Sequence, residues 1–422
     1  MSENTKMNYP RLFKNRSFSL MLTAQTISRL GDAVDMIAYG YMVYQLTGSA
    51  LLLATLFAVN GIPSVFFSLF SGVLVGYIKK KPVVWLCDIG RGVVVTATAL
   101  LYLTGHLEVW HLYVFTLLNS SFESFRQPAA SSMFVNELSP QEIELATSLR
   151  SSVLTLSELL GYGLAGVLIG LTGTGGAIFF DAVTFYLCGL LILAVHSKEQ
   201  LTHNRILTLT SGLTDFKEGL VYVLKNPFIR TITLLSGCFA FFLVPFNALQ
   251  AAYVKDVLHR DATALSYLSI AFMVAMIIGS ILVPWVKERI TARLLFVLGG
   301  LGLALSYGAY GLLALLHGNA LVDPAYLMIS FFMGFCLPFV NVPISIALNK
   351  QVDRAYLPRV FSLVSVLALA ANPLGGFIVG LLLTKLQITD LFYISAIAIG
   401  IIFLLQLGNK SFKQLDATDT KD

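Results

Sequence analysis

The segment Ser28–Tyr44, SRLGDAVDMIAYGYMVY, lies inside an apolar run from about Phe18 to Leu46, long enough to cross a bilayer. Arg29, Asp32 and Asp35 fall near the middle of that run. A charge at the centre of a membrane helix costs at least ~2.5–3.5 kcal/mol on the insertion scale. These three must therefore face protein or water. The i,i+3 spacing sets Arg29 beside Asp32, so the two are expected to neutralise each other. Asp35 stands roughly 120° around the helix from Arg29, at ~100° per residue, and has no partner on its own helix. Buried ion-pair glue between helices is the alternative reading for all three.

Working outward, the same apolar pattern recurs to the end of the chain. Of 422 residues, 56% are hydrophobic and 12% charged, with a mean hydropathy of +0.78. This composition predicts an all-α, polytopic membrane protein. Twelve spans are expected: Phe18–Leu46, Ala50–Ile78, Val83–Thr104, Trp110–Val135, Glu142–Leu171, Ala177–Val195, Phe228–Val254, Ala262–Val286, Leu294–Leu316, Pro324–Leu348, Val360–Thr384 and Leu391–Leu407. The apolar run after the N-terminal MSENTKMNYPRLFKNRS is too long for a cleavable signal. Cys87, Cys188, Cys238 and Cys336 are scattered through apolar segments and form no CxxC pair, so neither zinc nor a disulfide framework is expected. A net charge of +5 gives no reason to expect nucleic acid.

Lysine and arginine orient the chain. One set of loops carries the basic residues of the N-terminus, Lys79–Lys81, the segment from Lys198 to Arg230, Lys287–Arg293, Lys350–Arg359 and the C-terminal tail. The opposite loops hold only Lys255, Arg260 and Lys385. Both termini are therefore expected in the cytoplasm of a cell inner or plasma membrane protein. The longest polar segment, His196–Lys225, divides the spans into two sets of six, with an amphipathic helix expected over Leu213–Leu224. The expected units are 1–196, a linker 197–227 and 228–422. Two weakly matching six-helix repeats describe an alternating-access transporter.

Several stretches carry a resemblance: LFKNRSFSLMLTAQTISRLGD at the start, SGVLVGYIKKK at Ser71–Lys81, CDIGRGV at Cys87–Val93, RQPAASSMFVNELSPQE at Arg126–Glu142, LNKQVDRAYLPRVFSLVS at Leu348–Ser365 and NPLGG at Asn372–Gly376. With these the chain resembles the major facilitator superfamily, in the branch of macrolide-efflux proteins and the enterobactin exporter, the third drug:proton antiporter group. The resemblance implies that the first and fourth spans line a central cavity, which brings Asp35 near Glu123. Two departures from the family pattern stand out. The loop motif keeps Gly72 and its basic cluster, including Lys80, but has Gly76 and Tyr77 where the family has Asp and Arg. The exporter motif of the fifth span reads GYGLAG, Gly161 to Gly166, with Tyr162 at the usual Pro. Asp88 and Arg91, at i,i+3 spacing, could restrain the basic loop in place of the missing acid.

Ionisable groups inside the spans all lie in the first half. Asp35, Glu123, Asp32 and Glu158 are the proton-coupling candidates, with Arg29 and Arg126 as charge partners. Glu123 and Arg126 are expected to pair at i,i+3. Glu158 has no charged neighbour within a turn, and a protonated hydrogen-bond donor in a helix interface is the alternative for it. Asp181, near the end of its span, is read as a pairing or capping group close to water. A carboxyl in a low-dielectric cavity can load and release protons near neutral pH, which is what proton-driven exchange needs. Tyr39, Gln25, Asn119, Phe122, Phe246, Gln250, Phe335 and Asn341 are expected to line an apolar cavity with few polar anchors, suited to a bulky amphiphile. Gly72, Lys80, Asp88, Arg91, Gly161 and Gly166 are the gating candidates.

These readings predict a proton-coupled antiporter exporting amphiphilic compounds such as drugs or macrolides, working as a monomer in the lipid bilayer without a cofactor or metal. A lipid or lysolipid translocase on the same fold and a non-transporting receptor or assembly factor are the alternatives. No P-loop, HExxH or GxSxG pattern is present, so neither ATP drive nor an enzyme is expected.

Overall fold

The computed structural model describes residues 9–77, 79–139, 142–196, 209–316, 321–353, 356–409 and 411–418, and no strand occurs among them. A short α1 (Tyr9–Lys14) is followed by α2 (Arg16–Thr47), α3 (Ala50–Tyr77), α4 (Lys80–Leu103), α5 (Val109–Asn136) and α6 (Ile143–Ala194). Then come α7 (Leu209–Lys225), α8 (Pro227–Ala252), α9 (Ala262–Lys287), α10 (Ala292–Leu313), α11 (Val322–Gln351), α12 (Leu357–Leu382) and α13 (Ile388–Gly408). Among the described residues nine of these helices are long and apolar enough to cross a membrane. α2 and α5 are not among the nine, and they are the helices that carry Asp32, Asp35, Glu123 and Arg126. The 52-residue α6 bends at Gly173, where φ is 73°, a conformation that costs glycine nothing. Its two arms are separate spans. Counted this way, the described residues of this membrane protein form twelve helical segments of more than 20 residues.

Local chemistry sets the boundaries. Asn226 caps α8 by accepting from the amides of Phe228 and Ile229 at 3.0 and 3.2 Å, and Pro227 occupies the first turn, where its missing N–H costs nothing. Gly48, with φ of +59°, turns the chain between α2 and α3. Prolines inside α3, α5, α8, α9, α11 and α12 are tolerated because neighbouring groups in a membrane bundle can satisfy the freed carbonyls. α7 covers the expected amphipathic stretch, whereas 197–208 lie outside the described residues.

The chain folds into two compact units, one of Met1–Met42 and Ile62–Leu209, the other of Val43–Gly61 and Thr210–Asp422. The second unit takes up Val43–Gly61 through small residues. A Cβ on Gly376 would lie 2.8 Å from the Ala54 carbonyl oxygen and 2.9 Å from the Ala58 nitrogen. NPLGG therefore seats α12 against α3 at backbone distance. The core of this unit is aromatic and neutral: Phe246, Tyr307, Tyr310, Tyr253 and Phe392 pack with centroids 5.1–6.3 Å apart. Their hydroxyls find partners. Tyr253 donates to the Tyr310 carbonyl at 2.6 Å, and Tyr307 to the Phe242 carbonyl at 2.9 Å. The first unit has its own apolar core around Phe18, Phe134, Met133 and Cys188, but its centre is ionic.

Candidate functional site

Arg91 on α4 is the hub of the first unit. Its side chain is 7% exposed, with Nη2 2.8 Å from Asp32 Oδ1 on α2 and Nη1 2.6 Å from Glu123 Oε2 on α5. Nε donates to Asn119 Oδ1 at 2.9 Å, and the guanidinium lies 4.1 Å above the Phe185 ring. A guanidinium offers five donors in a rigid fork. Buried, it needs acceptors on several sides, and one helix cannot supply them. This is why the expected in-helix pair of Asp88 with Arg91 does not form. Asp88, fully buried, instead takes Nε of Arg126.

Two further pairings differ from the sequence reading for the same reason. Arg29 does not neutralise Asp32. It reaches across to Glu158 on α6 at 3.1 Å, so Glu158 is an ion-pair partner. Glu123 holds Arg91 first, and its i,i+3 contact with Arg126 is looser at 3.8 Å. Tyr162, at the position of the expected proline, donates to Glu158 Oε1 at 3.1 Å. Gly161 lets α6 meet α2 closely, since a Cβ there would lie 2.6 Å from the Leu30 carbonyl oxygen.

Asp35 keeps Oδ1 buried with no hydrogen-bond partner. Asp181 is 1% exposed, which corrects the expectation of nearby water. Thr184 donates to it at 3.1 Å, and it packs where a Cβ on Gly31 would stand 2.3 Å from Oδ1. The charges of Asp35, Asp32 and Arg91 all act on it. Its position eight residues past Gly173 hid this depth, because the sequence does not mark where α6 bends. Asp32, Asp35, Asp88, Glu123 and Asp181 thus face two buried guanidiniums, Arg91 and Arg126. Carboxylates outnumber guanidiniums in this cluster by five to two.

A cavity of about 270 Å³ opens beside this cluster, lined by Gln25, Ser28, Arg29, Asp32, Glu123, Arg126, Arg150, Glu158 and neighbours. It is mostly polar, not the apolar cavity expected. Summed hydropathy cannot register that the few charged residues of α2, α5 and α6 share one face. Of the other named residues, Tyr39 bonds Thr116 Oγ1 at 2.7 Å. Phe122 packs on α4, where a Cβ at Gly90 would lie 2.6 Å from its ring. In the second unit Phe246 belongs to the aromatic core, Phe335 packs on Phe339 at 4.9 Å, Gln250 is partly exposed and Asn341 is exposed. Gly166 is buried and Lys80 begins α4. Gly72 and Gly76 fall within α3, and their surroundings lie outside the described residues, as do those of Tyr77.

The sequence profile of the Major Facilitator Superfamily matches residues 21–342 and 244–410. The MFS-type transporter YfiS of Bacillus subtilis is 28% identical over 96% of this chain and 95% of its own length. Macrolide efflux protein A of Streptococcus pyogenes is 21% identical over 94% and 97%. Among solved structures, the nucleoside transporter NupG aligns with a TM-score of 0.77, at 12% identity, over 92% of this chain and 99% of that one. At that identity the match speaks for the fold alone.

Proposed function

The chain belongs to the Major Facilitator Superfamily, and on that premise we propose that it is a proton-coupled exporter of amphiphilic compounds. It is a transporter, not an enzyme. The observation that carries the reading is the excess of carboxyls over guanidiniums around Arg91 and Arg126. In a low-dielectric site such an excess binds and releases protons as its access to water changes. Asp35 is assigned the coupled proton, because its buried oxygen lacks any counter-ion bond. Glu123, Asp32 and Glu158 relay charge to it. The neutral aromatic core of the second unit leaves proton handling to the first. The likeness to macrolide efflux protein A supports amphiphilic drugs as cargo. The basic loops support cytoplasmic termini in the plasma membrane, and the protein works as a monomer.

The test is uptake of an amphiphilic drug that carries a carboxylate and no amine, such as fusidate, into proteoliposomes with protein-free liposomes alongside, since an acidic interior excludes a weak acid that merely diffuses. An acidic interior should drive accumulation above the level reached without a gradient, and a protonophore should abolish it. Equal uptake with and without the gradient would rule out proton coupling.

A further inference from the structure

Resting on the exporter reading for the role of the cavity, we propose that Arg150 is an anion-recognition residue and that the transported compound carries a carboxylate or phosphate group. Arg150 stands near the start of α6 and lines the cavity of the first unit with Arg29 and Arg126. Its neighbours set it apart from the other arginines there. Arg29 has Glu158, Arg91 has Asp32 and Glu123, and Arg126 has Asp88. Among the described residues Arg150 has no carboxylate at all. Nε donates to the amide oxygen of Gln25, Nη2 reaches Ser131 Oγ at 3.5 Å, and the Phe134 ring lies 5.0 Å from its central carbon. The charge acting on it is that of Arg126, another cation.

An amide, a hydroxyl and a ring orient a guanidinium without neutralising it. Gln25 is itself buried, so the fork is held in place before any ligand arrives. A partly buried cation without a counter-ion is costly in a membrane protein. Each acid lining the cavity is already bonded to another arginine, so among the described residues Arg150 is the lining guanidinium left without an acid partner. Nη1 carries no bond to protein among the described residues and, with Nη2, can take two oxygens of a carboxylate or phosphate in parallel. The hydroxyls of Ser28, Ser151 and Thr155 line the same cavity and can donate to the remaining oxygens.

The test uses the full chain in nanodiscs and direct binding of four matched probes: naphthyl phosphate, naphthoate, naphthol and naphthylmethylammonium. The parent protein should bind the two anions in preference to the neutral and cationic probes. Arg150→Gln should weaken naphthyl phosphate binding by about tenfold or more, the loss of a charge-assisted pair. Arg150→Lys should restore part of it, since it keeps the charge and loses the fork. Equal binding of anion and cation by the parent would overturn the proposal even if Arg150→Gln failed to fold, as would unchanged anion binding in that variant. Comparing phosphatidylcholine nanodiscs with ones containing phosphatidylglycerol separates two sources of the anion. A lipid headgroup at the site would compete with naphthyl phosphate in the second lipid only, and a soluble substrate would leave both alike. Anion binding through Arg150 without any gradient-driven export would sink the exporter reading and leave this site standing.

Discussion

Arg91 on α4 donates to Asp32 on α2 at 2.8 Å, although Arg29 stands only three residues from Asp32 on the same helix. Arg29 is about half exposed and spends its charge on Glu158. The consequence is a division of labour on one helix: Asp32 belongs to the buried hub, and Arg29 to the cavity wall.

Removing Asp32 and removing Arg91 should therefore differ in cost. Asp32→Asn takes away one charge-assisted bond, about 1.5–3 kcal/mol, and leaves Arg91 with Glu123 and Asn119. Arg91→Gln deprives Asp32 and Glu123 of their shared cation, about 3–5 kcal/mol. Thermal unfolding in detergent should rank Arg91→Gln as clearly less stable. Equal shifts would contradict the hub.

Asp88 and Arg126 should be coupled. Arg126→Gln strands a fully buried carboxylate and is expected to cost about 3–5 kcal/mol. In the Asp88→Asn/Arg126→Gln double variant both charges are gone, so the loss should fall well short of the sum of the singles. Strict additivity in a double-mutant cycle would mean that the pair does not form.

Asp35→Asn preserves size and removes titration. Because Asp35 Oδ1 makes no hydrogen bond, stability should hold. Gradient-driven uptake should vanish while substrate binding and exchange without a gradient continue. Uphill transport at the parent rate would move the coupled proton to Glu123, and Glu123→Gln would then be the variant that loses it.

Helix contacts at glycine give a sharp internal control. A Cβ at Gly161 or Gly376 would press on the backbone of a neighbouring helix, at 2.6 and 2.8 Å, and backbone cannot rotate aside. Gly161→Ala and Gly376→Ala should each cost about 1–3 kcal/mol. Gly170, with nothing within 4 Å of its Cβ position, should accept alanine without loss. Three equal melting points would refute the close packing.

Orientation can be read by thiol labelling in a Cys238→Ser background, since Cys238 is exposed. Cysteine at His106, between α4 and α5, should react with an impermeant reagent in whole cells. Cysteine at Lys79 or Lys217 should not. All three sites are exposed, so the reverse pattern would invert the topology.

The sequence by itself determined the membrane, the twelve spans and the confinement of interior charge to the first half. Those properties follow from composition and run length, because a bilayer demands about 20 apolar residues per crossing and makes every exception costly. It also picked out GYGLAG and NPLGG as motifs, whose close helix contacts only the structure showed. Only the tertiary structure decided who pairs with whom. Spacing along one helix shows which side chains are neighbours there, as with Arg29 and Asp32 or Asp88 and Arg91. It cannot show an acceptor brought from another helix, and a buried guanidinium with five donors chooses the arrangement that satisfies most of them. For the same reason Arg150, unremarkable in the sequence, stands out only once three helices show that no carboxylate among the described residues reaches it.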